Sequence, residues 1–360
     1  MSTWRNRRII ELFGIDTPII QAPMAGASTP ELAIAVSEAG GLGSLPCALM
    51  SADQAREAIG LIRSKTSRAL NLNFFCHATP AHDPVRNMRW RNRLAPLYVE
   101  FGIDPEVTPP SAGRRPFDDE FCALVEETRP EVVSFHFGLP EARLLDRVKA
   151  AGAKVISSAT TVAEARWLEE RGCDAIIAMG VEAGGHRGNF LTDDIATQVG
   201  TFALVPQVVD AVKVPVIAAG GIADARGIVA AFALGASAVQ IGTAYLFCPE
   251  VRLAAHYISA LREAVDDATA LTNIFTGRPA RGIINRAMRE LGPLSEDAPA
   301  FPLAGGALLP LKTKAEQAGS GEFTNHWSGQ AARLAREMPA GEFTRLLATE
   351  ALALAGVAVD

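Results

Sequence analysis

Eight short apolar segments, each followed by a helical pattern, constrain the fold of this chain more than any other feature. In chain order they are PIIQAP (18–23), LGSLP (42–46), ALNLNFF (69–75), VVSFHFG (132–138), KVISSAT (154–160), AIIAMG (175–180), VPVIAAGG (214–221) and AVQIGTAYL (238–246). Continuous runs of Val, Ile and Ala are typical of parallel strands that are buried on both faces. Eight β/α units in about 260 residues is the size of a TIM (β/α)8 barrel.

An open, doubly wound α/β sheet is the rival fold, and the sequence disfavours it. That fold would carry GxGxxG between its first strand and helix, whereas this turn has QAPMAGAS (21–28). The segment GGLGS (40–44) leads from a helix into a strand, which is the wrong direction for the motif. We therefore predict that residues 1–265 form the barrel, with an excursion at 76–115 after the third strand and a tail at 266–360 outside the eight units.

Composition excludes several classes of function. The 360 residues carry a net charge of −6, and no strongly basic face stands out, so nucleic acid is not an expected partner. No apolar run approaches the roughly 20 residues of a spanning helix, and the N-terminus lacks the features of a signal peptide. The five cysteines are scattered without CxxC spacing, and HExxH is absent, so we expect reduced thiols, a cytoplasmic location and no metal site.

Two glycine clusters end the seventh and eighth strands. Gly220 and Gly221 open a helix after the seventh strand, and Gly242 and Thr243 follow the eighth. Glycine lets the backbone approach a ligand closely, and N–H groups near a helix N-terminus attract anions. TIM barrels frequently bind phosphate after these two strands. The clusters therefore predict a phosphorylated ligand. The glycines alone do not distinguish FMN from a sugar phosphate or a nucleotide.

The segment GVEAGGHRGNF (180–190) follows the sixth strand and holds a histidine between glycines. Glu182 and His186 have the i,i+4 spacing of a helical metal pair, but Gly184 and Gly185 disfavour a helix there. The glycines instead allow a loop to pass close to a flat ligand, with His186 as a base or proton donor. A structural role for His186 stays open. His136, at the end of the fourth strand, is a candidate to line the same site.

Several of these motifs occur in one order that resembles a known family. PIIQAPMAG, NLNFFCH, SFHFGLP, VEAGGHRG, PVIAAGGIADARG and QIGTAYLF are similar to segments of the FMN-dependent nitronate monooxygenases, formerly called 2-nitropropane dioxygenases. The resemblance implies a TIM barrel with FMN at its mouth, and a smaller substrate-covering region made from the tail and the excursion. It also implies oxidation of alkyl nitronates, such as propionate 3-nitronate, by O2 to a carbonyl compound and nitrite.

The resemblance also assigns roles to residues. It places the catalytic histidine at His186, while His136 remains a candidate lining residue from its position at a strand end. Taken with the other strand-end residues, the predicted cofactor-binding positions are Ala22, Pro23, Met24, Asn73, Ser158, Met179, Gly184, Gly185, Ala219, Gly220, Gly221, Gln240, Ile241, Gly242 and Thr243. Two positions depart from the family pattern: Met179 stands where many members have Gln, and Ser158 where some relatives carry Lys. The loss of Gln at 179 puts a hydrogen bond to the flavin ring in doubt.

Two other functions remain compatible with the motifs. Flavin-dependent enoyl-acyl-carrier-protein reductases and NADH:quinone reductases share them, although NFFCH and WSGQAAR favour the monooxygenase. A non-catalytic module that binds FMN or phosphate would explain the glycines but would leave His186 unused. The expected partners are therefore a small nitronate or nitroalkane and O2, while the oligomeric state is left open.

Overall fold

The computed structural model describes residues 4–81, 83–107 and 114–356, so parts of the excursion and the last four residues of the tail lie outside the described residues. The strands are β1 Ile19–Gln21, β2 Gly43–Pro46, β3 Leu70–Phe75, β4 Val132–His136, β5 Lys154–Ala159, β6 Ala175–Met179, β7 Gly185–His186, β8 Val216–Ala219, β9 Ala238–Ile241, β10 Thr269–Thr272 and β11 Ala280–Ile283.

Eight of these strands form one parallel sheet in the order β1-β9-β8-β6-β5-β4-β3-β2. A parallel bridge between Ile20 and Leu42 joins the two ends of this order and closes the sheet. The predicted TIM barrel is confirmed. Each of the eight apolar segments supplies one barrel strand, because its Val, Ile and Ala side chains are buried on both faces.

Helices surround the barrel strands, and further helices pack outside the barrel. They are α1 Arg8–Phe13, α2 Pro30–Glu38, α3 Ala52–Arg63, α4 Pro84–Glu100, α5 Asp119–Thr128, α6 Ala142–Ala150, α7 Val162–Glu170, α8 Thr201–Ala211, α9 Ala225–Ala233, α10 Ala255–Glu263, α11 Arg286–Leu291, α12 Ala304–Gln317 and α13 Ala340–Leu354. Local sequence sets several starts: the Thr29 hydroxyl accepts from the Leu32 N–H at 3.1 Å and caps α2, with Pro30 in its first turn. None of the helices in the described ranges is long and apolar enough to cross a membrane.

The eighth predicted strand is shorter than its apolar run suggests. AVQIGTAYL was expected to extend to Leu246, but β9 ends at Ile241 and Thr243–Phe247 forms a 3-10 helix. The Tyr245 N–H donates to the Gly242 carbonyl at 2.9 Å, which turns the chain at the glycine. This turn brings Gly242 and Thr243 to the mouth of the barrel.

The C-terminal helix belongs to the barrel. α13 packs between α2 and α9, and its Phe343 and Leu347 are buried in the barrel's hydrophobic core. The Tyr245 and Thr344 hydroxyls lie 2.7 Å apart and are hydrogen-bonded. The prediction that all of 266–360 covers the substrate therefore does not hold for α13, because the apolar face of this helix completes the outer layer of the barrel.

A second hydrophobic core joins the excursion to the tail. Trp90 of α4 is buried, and its indole N–H donates to the Ala304 carbonyl at the start of α12 at 3.2 Å. Leu308 and Leu311 of α12 are buried in the same core. We call the unit formed by α4, α11, α12 and the strands β10 and β11 the cover. β7 pairs antiparallel with β11, with Ala280 opposite His186, and so joins the cover to the barrel mouth.

Candidate active site

The carboxyl ends of the barrel strands and the cover enclose a cavity of about 480 Å³. This volume lies in the range of small-molecule sites. The sequence-predicted residues that line it are Ala22, Pro23, Met24, Asn73, His136, Ser158, Met179, Gly184, Gly185, His186, Ala219, Gly220, Gly221, Gln240, Gly242 and Thr243. The fold thus brings together residues from seven barrel strands and the loops that follow them.

Ile241 is the exception among the predicted site residues. Its side chain is fully buried in the barrel core and does not line the cavity, whereas that of Gln240 does. Successive strand residues point to opposite sides, so one position of this pair had to face away. The Ile241 carbonyl accepts from the Ala22 N–H at 2.8 Å, which places the end of β1 beside β9. Ile241 therefore supports the site from behind.

The loop after β1 is held by Gln21, which sequence reasoning missed. The Gln21 side-chain oxygen accepts from the Ser44 N–H at 2.8 Å, and its amide donates to the Ser28 hydroxyl oxygen at 3.1 Å. The same hydroxyl oxygen accepts from the Met24 N–H at 3.1 Å. These bonds fix residues 22–24, which line one wall of the cavity.

Backbone N–H groups after β8 form a cradle for an anion. Gly220 and Gly221 have φ of +109° and +70°, a conformation that glycine adopts without strain. Among the residues that the structure describes, no acceptor faces the N–H groups of Gly221, Ile222 and Ala223. We call these three groups the N–H cradle. Such groups bind phosphate well.

The N-terminus of α9 itself is less available than the sequence suggested. The Asp224 carboxylate accepts from the N–H groups of Arg226 and Gly227 and so caps this helix. The donors that remain for a ligand come from the turn before the helix. On the facing strand, the Gln240 side-chain oxygen is buried without a partner among the described residues. A ligand donor would satisfy this acceptor, since buried polar atoms are rarely left unpaired.

Two side chains hold the loop after β6. The Glu182 carboxylate accepts from the Thr201 N–H at 2.9 Å and from its hydroxyl at 2.8 Å, at the start of α8. Within the described ranges, no group of three His, Cys, Asp or Glu side chains is arranged to hold a metal ion. Arg187 is fully buried and donates to the carbonyls of Met179 and Gly180 at 2.9 and 2.6 Å. Burial lowers the pKa of Arg187 to about 10, so it stays charged at neutral pH.

The tail closes over the same loop. The Gln330 N–H donates to the Glu182 carbonyl at 3.1 Å, and the Gly329 N–H donates to the Thr243 hydroxyl oxygen at 2.9 Å. Gly184 lies so close to Ser328 and Gly329 that a Cβ at position 184 would stand 2.5 Å from the Gly329 nitrogen. The glycine at 184 is therefore required by the close approach of two backbones.

His186 lies in an aromatic surrounding at the cavity wall. Its ring centroid is 5.3 Å from that of Phe301 and 5.5 Å from that of Trp327. Its Nε2 is 3.0 Å from the hydroxyl of Thr276, to which the sequence analysis gave no role. Burial, and then the positive charge of Arg114, hold the pKa of His186 well below its ordinary value. The imidazole is neutral at pH 7 and can accept a proton.

His136 lines the cavity and also supports the histidine loop. Its Nε2 is 3.2 Å from the His186 carbonyl oxygen, and its Nδ1 is 2.7 Å from the Ser158 hydroxyl. A carbonyl only accepts, so Nε2 carries the proton and Nδ1 accepts from Ser158. Burial lowers the pKa of His136 to about 3. A Cβ at Gly188 would stand 2.6 Å from the Ser158 hydroxyl oxygen and 3.0 Å from the His136 ring, which explains the glycine after Arg187.

The barrel, with an N–H cradle and a histidine at the carboxyl ends of its strands, has the features of a TIM-barrel enzyme. The model of the family described as nitronate monooxygenase matches residues 6–350. The chain belongs to this family, whose members are flavin enzymes.

Three individual proteins are similar to this chain along almost its whole length. The chain is 44% identical to a nitronate monooxygenase of Pseudomonas aeruginosa over 95% of this chain and 98% of the relative. Among solved structures, nitroalkane oxidase from Streptomyces ansochromogenes is 37% identical with a TM-score of 0.86, covering 97% of this chain and 99% of its own. FabK from Thermotoga maritima is 31% identical with a TM-score of 0.75, covering 98% of each chain.

Proposed function

We propose that the protein binds FMN and oxidises alkyl nitronates with O2 to a carbonyl compound and nitrite. The observation that carries this proposal is a neutral imidazole, His186, in the same cavity as the N–H cradle. A cavity with a cradle alone would suit a binding module, but a desolvated base beside it suits an enzyme. The relatives at 44% and 37% identity are named for reactions of nitronates and nitroalkanes.

The residues present fit FMN. The N–H cradle and the turn at Gly242 and Thr243 would hold the phosphate, because they offer N–H groups where glycine lets the backbone approach a ligand closely. Residues 22–24 and Gly184 would contact the ring, and the unpaired Gln240 oxygen offers an acceptor to a ligand N–H or O–H. When bound, FMN supplies an electron acceptor that also reacts with O2.

His186 has two roles in the proposed reaction. A nitronate arrives without its Cα proton, so His186 would only orient it against the cofactor. A neutral nitroalkane keeps that proton, and the neutral imidazole could remove it. The Thr276 hydroxyl, 3.0 Å from Nε2, and the His136 contact to the His186 carbonyl hold the ring in place. General-base assistance of this kind is typically worth about 10²- to 10⁴-fold in rate.

A reductase that uses NAD(P)H is the second candidate. The motifs that this sequence shares with flavin-dependent reductases are the observation that favours it, and FabK, 31% identical over 98% of this chain, has the same fold. Both candidates use the same barrel and the same cavity. They differ in the source of electrons: a nitronate reduces the flavin in one, and a nicotinamide in the other.

One experiment separates these functions. The protein should purify yellow, and denaturation should release FMN, not FAD, as resolved by chromatography. The flavoprotein is then mixed without oxygen with propionate 3-nitronate and, separately, with NADH, while flavin absorbance is followed. Rapid bleaching by the nitronate alone supports the monooxygenase, and bleaching by NADH alone supports the reductase. A colourless protein that stays unloaded in excess FMN would contradict both.

A further inference from the structure

Arg114 places a positive charge at the His186 end of the cavity. It is one of the residues that line the cavity, as Phe75 and His186 are. Its guanidinium carbon lies 5.5 Å from the centre of the Phe301 ring, and the centre of the His186 ring lies 5.3 Å from the same point. The Arg114 guanidinium and the His186 imidazole therefore both lie next to the Phe301 ring.

The described residues place no acid against this charge. Within this part of the chain, no carboxylate lies within ion-pair distance of the Arg114 guanidinium, and its side chain donates no hydrogen bond. Its neighbour Arg115 behaves differently, since it is exposed and pairs with Asp118 and, at 2.7 Å, with Glu120. Burial lowers the pKa of Arg114, because removal from water disfavours its cation.

The position of Arg114 is nevertheless fixed. The Nε2 of His77 is 3.1 Å from the Arg114 carbonyl oxygen, and the His77 ring packs edge-on against Phe301 with centroids 4.8 Å apart. A carbonyl only accepts, so His77 donates this bond. Burial lowers the pKa of His77 to about 4, so it is neutral and does not itself bring a second positive charge. The protein thus holds an unpaired guanidinium beside the catalytic histidine.

We propose that Arg114 recognises the two-oxygen anionic head of the nitronate and so selects the deprotonated substrate over the neutral nitroalkane. This inference rests on the proposed function. A nitronate head is planar and spreads one negative charge over two oxygens, as a carboxylate does. The flat guanidinium fork matches that geometry with two parallel hydrogen bonds. A neutral nitro group has the same shape but attracts the cation much less.

The test compares Arg114→Gln, Arg114→Lys and the control Arg115→Gln in the FMN-loaded protein. Turnover is measured with ethyl nitronate, which has no carboxylate, and with propionate 3-nitronate, which has one. Binding is measured separately by calorimetry with nitrate, a planar oxyanion that does not turn over, and with neutral nitroethane. Flavin content and thermal stability report whether each variant is folded.

We expect Arg114→Gln to lower kcat/KM on both nitronates by roughly 10- to 100-fold and to weaken nitrate binding similarly. Nitroethane binding should change by less than about threefold, because it carries no charge. Arg114→Lys should recover part of the loss, since it keeps the charge without the fork. Arg115→Gln should change none of these quantities.

Other results would overturn the inference. A loss confined to propionate 3-nitronate would show that Arg114 binds the distal carboxylate instead of the nitronate head. If Arg114→Gln weakens the binding of nitrate and nitroethane equally, or weakens neither, the charge of Arg114 does not select the anion. The proposed function fails in a different way: nitrate would still bind in an Arg114-dependent manner, but the wild-type protein would not turn over any nitronate.

Discussion

Substitution of Gly184 by alanine tests whether the tail holds the histidine loop in place. The added Cβ would stand 2.5 Å from the Gly329 nitrogen and 2.7 Å from the Ser328 carbonyl carbon. Ordinary contact begins at 3.4 Å, so the two backbones must separate by 0.7 to 0.9 Å (3.4 − 2.7 and 3.4 − 2.5). Both neighbours are backbone atoms, so no side-chain rotation can relieve the clash.

The loss of stability caused by this separation follows from the contacts that it disturbs. It stretches the hydrogen bonds from Gly329 to the Thr243 hydroxyl and from Gln330 to the Glu182 carbonyl. Each bond contributes about 0.5–1.5 kcal/mol, and overpacking itself costs about 1–3 kcal/mol. We therefore expect Gly184→Ala to lower the free energy of unfolding by about 2–6 kcal/mol, or to release the tail locally for a smaller cost.

Gly185→Ala is the matched control. Gly185 has a φ of +73°, but no atom lies within 4 Å of a Cβ built there. Gly185→Ala should therefore lower the free energy of unfolding through backbone strain alone, by about 1–2 kcal/mol. Urea unfolding of the FMN-loaded variants compares the two, and amide hydrogen exchange at residues 328–330 reports on release of the tail. If Gly184→Ala is no less stable than Gly185→Ala and exchange is unchanged, the tail does not hold the loop.

Three further predictions concern the histidines and the N–H cradle. His186→Asn should keep the flavin but lower kcat/KM on a neutral nitroalkane by about 10²-fold or more, with a much smaller loss on a preformed nitronate; equal losses would assign it a positioning role. Gly221→Asp places a carboxylate in a left-handed position beside Glu182, so flavin occupancy should collapse while circular dichroism stays unchanged; full occupancy would locate the phosphate elsewhere. His136 and His77 have folded pKa values of about 3 and about 4, so below about pH 6.5 the unfolded chain binds protons that the folded protein does not. Stability should fall between pH 6.5 and 4 by up to about 1.4 kcal/mol per pH unit for each histidine, and an unchanged urea midpoint at pH 5 would contradict this.

The sequence by itself determined the barrel and the general position of the site. Continuous apolar runs specify buried parallel strands through local chemistry, and their ends fall at one rim by topology. Glycines such as Gly220 and Gly221 signal a backbone conformation or a close approach that can be inferred from the residue alone. The position of His186 in a glycine-rich loop predicted a functional role, because such a loop offers a histidine few packing contacts. These features depend on a few neighbouring residues.

Other features were decided only by tertiary structure. The segment AGGALLP forms the start of α12 although it contains two glycines and a proline. Burial of Leu308 and Leu311 in the second hydrophobic core offsets the low helix propensity of the glycines and the proline.

Arg114 and Thr276 are distant from His186 in sequence, and only the folded chain brings them to the surroundings of its ring. His136, an expected substrate contact, has both ring nitrogens engaged by protein. The lowered pKa values of Arg114 and His186 also depend on burial, which only the packed molecule sets, because desolvation arises from atoms that are distant along the chain.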